Sequence, residues 1–260
     1  LPMVDLLIKD VDNVETLNLA EKSGRSATDI ALMQGKWKIA KRLIRKGGMA
    51  HNVSHRLSSS PTYSWTLLHS LCRDGKFLLV QHLLSRAQCV MGVDINKPDP
   101  HGWTPLHVAV LNRHTRLTAL LTDAGGSAML PVFANRWYPI HTATKSRDRQ
   151  LLSTLLERSG VSVLSLVESS GWTCLDMALQ EDCGDGLYSF LLHAGATLAA
   201  YNNRNDGWTP LHKAARTGNL HAVNSLLSHD PDLVHAAEHQ HGRTALHIAG
   251  MSHPSPQSTL

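Results

Sequence analysis

The chain has 260 residues, a formal net charge of +4, and 42% hydrophobic against 18% charged residues. That is enough apolar material to bury a core and too little charge for a disordered chain, while the mild basic excess does not by itself make a nucleic-acid binder. No apolar run approaches a membrane span, and Cys72, Cys89, Cys174 and Cys183 form no Cys-x-x-Cys pair. A disulfide framework is therefore not expected, and a reducing, intracellular setting, cytoplasmic or nuclear, is.

The N-terminal Leu1-Pro2-Met3-Val4-Asp5 has neither a basic segment nor a long apolar core, so it does not read as a signal peptide. Ser26-Ala27-Thr28-Asp29-Ile30-Ala31 opens a short amphipathic helix, and the basic run Lys36 to Lys46 falls on a second one. The run reads as a solvated helix face, because later second helices carry no equivalent charge. Lys46-Gly47-Gly48 through Ser58-Ser59-Ser60-Pro61 reads as an elongated loop.

From Thr66 onward the pattern repeats. Gly-Trp-Thr-Pro-Leu-His occurs at Gly102–His107 and again at Gly207–His212. Its leucine position recurs at Leu68, Leu106, Ile140, Leu175, Leu211 and Leu246, in steps of 38, 34, 35, 36 and 35 residues. A period in this range marks a stack of similar units.

Each unit has a physical grammar. Thr104 can cap a helix and Pro105 fits its first turn. Leu106, Ala109 and Val110 share a buried face, and Leu117, Leu120 and Leu121 mark a second helix that Gly125-Gly126 ends. The cap position holds Ser26, Thr66, Thr104, Tyr138, Thr173, Thr209 and Thr244, of which only Tyr138 cannot cap. Nine residues after the cap stand Gly35, Gly75 and Gly218. Arg113, Arg147, Asp182 and His253 occupy that place in the other copies, so their inter-helix turns are expected to differ.

With these phrases in register, the chain resembles the ankyrin repeats, whose Thr-Pro-Leu-His-x-Ala motif matches Thr104–Ala109 and Thr209–Ala214 in full and Thr244–Ala249 except at the proline. The resemblance implies an all-α solenoid of stacked antiparallel helix pairs with projecting hairpin-like loops. It implies about six to seven units over residues 1–260, with truncated units at both ends, Leu6-Leu7 closing one and Thr244 opening another. A larger parent protein is expected. The expected role is a non-catalytic scaffold that binds another protein through its concave helix face and loop tips. The alternative is a recognition or autoinhibitory region of a larger multidomain enzyme or sensor.

The resemblance also assigns residues. His69, His107, His141, His212 and His247 occupy one repeat position, with Asp29 and Asp176 in the other copies, and each ring can reach back to the capping residue. Thr104, His107, Thr209, His212, Thr244 and His247 are thus structural. Five of the six tryptophans, Trp65, Trp103, Trp137, Trp172 and Trp208, directly precede the cap, where they pack on the loop and can form an aromatic ridge for a partner. Seven and eight residues after the cap, Leu111, Asn112, Lys145, Ser146, Gln180, Glu181, Arg216 and Thr217 are expected to face the groove. Of these, Asn112, Lys145, Gln180, Glu181 and Arg216 are the candidate contacts.

His235-Ala236-Ala237-Glu238-His239 has the spacing of an inverted zinc-protease motif, but it falls between repeats, where the two imidazoles do not share a helical face. No phosphate-loop, dinucleotide or nucleophile-elbow motif occurs. No catalytic residue, metal, cofactor or small-molecule substrate is therefore expected, and nucleic acid and membrane are disfavoured as partners.

Overall fold

The computed structural model describes residue 19 and residues 26–34, 36–46, 66–85, 94–180, 186–196 and 208–252. The expected loop at 47–65, Trp65, Glu181 and Asp182 lie outside the described residues, as do Leu6-Leu7 and His253. The chain divides into two compact units, Leu1–Ala134 and Asn135–Leu260.

The first unit carries three helix pairs among its described residues: α1 (Ala27–Met33) with α2 (Trp37–Arg45), α3 (Leu67–Arg73) with α4 (Phe77–Ser85), and α5 (Pro105–Leu111) with α6 (Thr115–Asp123). The first helix of a pair lies on the next, α3 on α5, and the second helices follow suit, α2 on α4 and α4 on α6. Leu71, Leu83, Leu106, Leu117 and Leu121 are fully buried at these contacts. A buried leucine contributes about 1.5–3 kcal/mol, so the repeated leucines set the frame.

The second unit repeats the plan with α7 (Pro139–Lys145) and α8 (Arg149–Ser159), α9 (Cys174–Gln180) and α10 (Leu187–His193), α11 (Pro210–Thr217) and α12 (Leu220–His229), and a last first-type helix, α13 (Ala245–Ser252). Short 3-10 helices at Val161–Ser165 and Pro231–His235 follow α8 and α12. First helices pack in succession, α7 on α9, α9 on α11 and α11 on α13. Ala143, Ala178 and Ala214 are buried on them, and their lack of bulk permits the close approach.

Helix starts follow the sequence. Thr66, Thr104 and Thr209 sit in extended conformation and their hydroxyls accept the backbone N–H three residues on. Tyr138 makes no side-chain cap, as expected. Asp148 and Asn219 cap α8 and α12.

The inter-helix turns depart from expectation. Gly75 and Gly218 have φ of 63° and 70°, and Arg113 and Arg147 adopt 57° and 56°, the same left-handed turn rather than a different one. The hydrogen bonds agree: the N–H groups of Gly75 and Lys76 reach Cys72 O and Leu71 O, and those of Arg113 and His114 reach Val110 O and Ala109 O. Packing of two fixed helices dictates the turn, and arginine accepts the strain.

Candidate functional site

The repeated Thr and His form one hydrogen-bonded device. The Nδ1 of His69, His107 and His212 lies 2.7–2.8 Å from the Oγ1 of Thr66, Thr104 and Thr209 and accepts the threonine backbone N–H at 3.1–3.3 Å. An Nδ1 that accepts leaves the proton on Nε2. That Nε2–H then donates forward to the next copy: His69 to Trp103 O at 2.8 Å and His212 to Arg243 O at 2.9 Å. His141 donates instead to Leu166 O at 3.1 Å. Burial lowers the pKa of His69 and brings His141 down to about 4, so both stay neutral. His247 keeps its contact with Thr244 but is exposed.

Asp176 stands at this position in its own copy. Its carboxylate accepts the Thr173 N–H at 2.9 Å and the Thr173 hydroxyl at 3.0 Å. A carboxylate has no proton to send forward. Lys213 of the next copy supplies one, with Nζ on Asp176 Oδ1 and 4.6 Å above the Trp172 ring. The sequence signal was available: Asp at the histidine position, and Lys four residues after the following cap.

A second recurring device lies in the loops before the caps. Asp99 accepts the N–H groups of His101 and Trp103 at 2.8 and 2.9 Å. Glu168 does the same for Ser170 and Trp172, and Glu238 for Gln240 and His241. All three acids are buried. Burial opposes the charge of Glu238, but the N–H groups of Gln240 and His241 outweigh it and hold the carboxyl below its ordinary range. The glutamate of the protease-like phrase is therefore engaged by its own loop, with His235 and His239 exposed beside it.

Each described tryptophan before a cap, Trp103, Trp137, Trp172 and Trp208, is half-buried. Trp103 meets His107 edge-on at 5.7 Å, and Trp208 meets His212 at 5.9 Å. Arg216 lies over the Trp208 ring, its guanidinium carbon 5.0 Å from the ring centre. That contact joins two stations, the residue before the cap and the one seven after it.

The groove candidates are exposed where described: Leu111, Asn112, Lys145, Arg216 and Thr217, with Ser146 half-buried. The Asn112 amide donates to Val108 O at 2.8 Å. Gln180 ends α9, and its side chain is outside the description. Among the described residues, no group of three His, Cys, Asp or Glu side chains could hold a metal, and no helix is long and apolar enough to cross a membrane. Cys72 and Cys174 are buried, and desolvation pushes both thiols up, Cys174 to about 12.

The family model for ankyrin repeats matches residues 30–131 and 185–255, about two thirds of the chain. The chain belongs to the ankyrin-repeat family. Ankyrin repeats are generally modules of protein–protein interaction. The structure resembles the ankyrin repeat domain of Bcl-3, with a TM-score of 0.70 at 23% identity, covering 87% of this chain and 94% of that one. It also resembles the human ASB11 ankyrin repeat domain, with a TM-score of 0.61 at 26% identity, covering 90% and 94%. Among curated proteins, a putative palmitoyltransferase, ZDHHC13 of Danio rerio, is 26% identical over 251 residues. That alignment takes in 96% of this chain and 29% of the relative, so the chain spans under a third of that protein's length.

Proposed function

We propose that this ankyrin-repeat chain is a non-catalytic scaffold that captures a protein along the exposed ends of its first helices and its tryptophan-bearing loops, residues 1–260 forming one array of about six to seven units. One contrast carries the reading. From the copy at Thr104 to that at Thr209, the His or Asp, Leu or Ile and Ala stations repeat and are buried, whereas stations seven and eight after the cap, exposed or half-buried where described, change from copy to copy. They hold Arg73 and Asp74, Leu111 and Asn112, Lys145 and Ser146, and Arg216 and Thr217. A fixed frame with a varied face suits recognition of one partner. Half-buried indoles beside that face supply the anchors that interfaces favour.

The test is to identify a partner by affinity capture, then measure its binding to a Trp103→Ala, Trp172→Ala, Trp208→Ala triple variant. With helicity retained by circular dichroism, affinity should fall at least about tenfold. Unchanged binding would remove the tryptophans from the interface.

A second reading is favoured by the alignment with the palmitoyltransferase, which uses nearly all of this chain but less than a third of that protein. Here the array is the recognition or autoinhibitory part of a longer intracellular protein whose other segments carry acyl transfer. A full-length transcript encoding nothing beyond the repeats would set this aside.

A further inference from the structure

Successive copies are joined by one of two kinds of residue pair. In the common kind, a histidine three residues after the cap donates Nε2–H forward, as His69 does to Trp103 O and His212 to Arg243 O. The residue four after the following cap is then uncharged and buried, Val108 in the first case and Ile248 in the second. The other kind sets Asp176 against Lys213 of the next copy, whose ammonium also lies 4.6 Å from the ring centre of Trp172. Lys213 thus meets two side chains of the preceding copy.

The two kinds do not mix. Asp176 is fully buried, with the Thr173 N–H and hydroxyl on Oδ2 and the Lys213 ammonium on Oδ1. Opposite valine or isoleucine, the carboxylate would lose its cation in a low-dielectric junction. An ammonium opposite a forward-donating histidine would set two donors against each other. Four residues after the seven caps stand Ile30, Ser70, Val108, Thr142, Met177, Lys213 and Ile248, so a cation occurs there once. Asp29 also holds the histidine station, but Ser70 is the corresponding residue of the next copy. Acid and cation therefore coincide at one junction of the sequence.

We propose that Asp176 and Lys213 form a register lock, which makes the Thr209 copy the successor that the Thr173 copy accepts. Similar copies compete for the same contacts: Thr104–Ala109 and Thr209–Ala214 carry one Thr-Pro-Leu-His-x-Ala phrase. Misassembly is a characteristic failure of repeat proteins. A histidine junction discriminates poorly, because its acceptor is a backbone carbonyl and every copy offers one. An ion pair discriminates, because a wrong neighbour leaves a buried charge unmatched. The lock acts on assembly of the array, whatever the array binds.

The experiment moves the lock by one junction within the whole 260-residue chain at constant composition. Lys213→Ile with Ile248→Lys moves the cation alone, and the folding equilibrium constant from urea denaturation should fall at least about hundredfold. Asp176→His with His212→Asp moves the acid alone and should be damaging in the same way. All four exchanges together restore the match and should bring the constant back to within about tenfold of the parent. Should either half-move fail to fold, a folded combined variant carries the result, and an unfolded one overturns it.

Refolding reads the register itself. Asp176→His with Lys213→Val turns the junction into the common kind and removes the lock. Refolded from urea at the same concentration as the parent, that variant should leave at least about threefold more misassembled oligomer, measured by size-exclusion chromatography with light scattering. Equal oligomer from the two proteins would overturn the proposal. So would a half-move as stable as the parent, or a combined variant no closer to the parent than either half-move.

Discussion

Asp176 and Lys213, 37 positions apart, replace by an ion pair the imidazole-to-carbonyl bond that the other copies use to hold the next repeat. The donor has moved across the interface, from the first repeat's ring to the second repeat's ammonium. Asp176 is fully buried, so removing its partner leaves a stranded charge.

Lys213→Val should therefore destabilise the chain by about 3 kcal/mol, and Asp176→His alone by a similar amount, because it sets an imidazole donor against an ammonium. Asp176→His combined with Lys213→Val should recover most of the loss by restoring the histidine form. Urea denaturation of the four proteins as a double-mutant cycle measures the coupling. An additive cycle would show that the two residues act separately.

Glycine demands differ within one motif. A Cβ on Gly102, at φ 89°, would lie 2.5 Å from Phe133 N and 2.8 Å from its ring, whereas one on Gly125, at φ 94°, meets nothing within 4 Å. Gly102→Ala should cost clearly more than Gly125→Ala, which bears only the left-handed penalty of about 1–2 kcal/mol. Equal losses in thermal melts would mean that the Phe133 loop shifts freely.

The left-handed arginines invite relief. Arg113→Gly and Arg147→Gly should each stabilise by a few tenths of a kcal/mol to about 1 kcal/mol, since glycine removes the Cβ strain but gains entropy when unfolded. Gly75→Ala should act in the opposite sense, with the added Cβ 2.8 Å from the His114 ring. A fall in melting temperature for either arginine exchange would contradict this account.

Acid should weaken the fold through the buried imidazoles. His141 has a folded pKa of about 4 against 6.5 when unfolded, and His69 shifts in the same direction. Stability is thus complete above pH 6.5 and is lost as pH falls towards 4, because the unfolded chain takes up the proton first. For His141 alone the full effect is about 3 kcal/mol. Urea midpoints from pH 7.5 to 4 in a parent and a His141→Gln variant test it. The variant should be less stable at neutral pH but show a shallower slope.

The frame was legible because it is local. A capping Thr, a Pro in the first turn and a His three residues on are all decided within one helical turn, and the resulting device matches expectation at Thr104 and His107 and at Thr209 and His212. Features fixed only by stacking were not legible. The Asp176 partner is remote in sequence, and the turns at Arg113 and Arg147 obey the helices they join rather than their own residue preference. The loop acids escaped notice because Asp99, Glu168 and Glu238 differ in length, and the last lies one residue further from its cap. Tryptophan positions could be read, but the cations beside Trp172 and Trp208 could not, since both are carried by one helix, α11, and reach the rings only once it has folded against them.

The forward reach of the histidines gives the assembly a polarity. His69 and His212 each lend a proton to the copy that follows. A copy that melts therefore orphans a buried ring N–H in its predecessor, whereas its successor loses only one donor to a backbone carbonyl, a smaller loss because an unpaired carbonyl is better tolerated than an unpaired N–H. Fraying should propagate more readily towards the N-terminus than away from it, so that the direction of cooperative unfolding is set by the tautomer of one side chain.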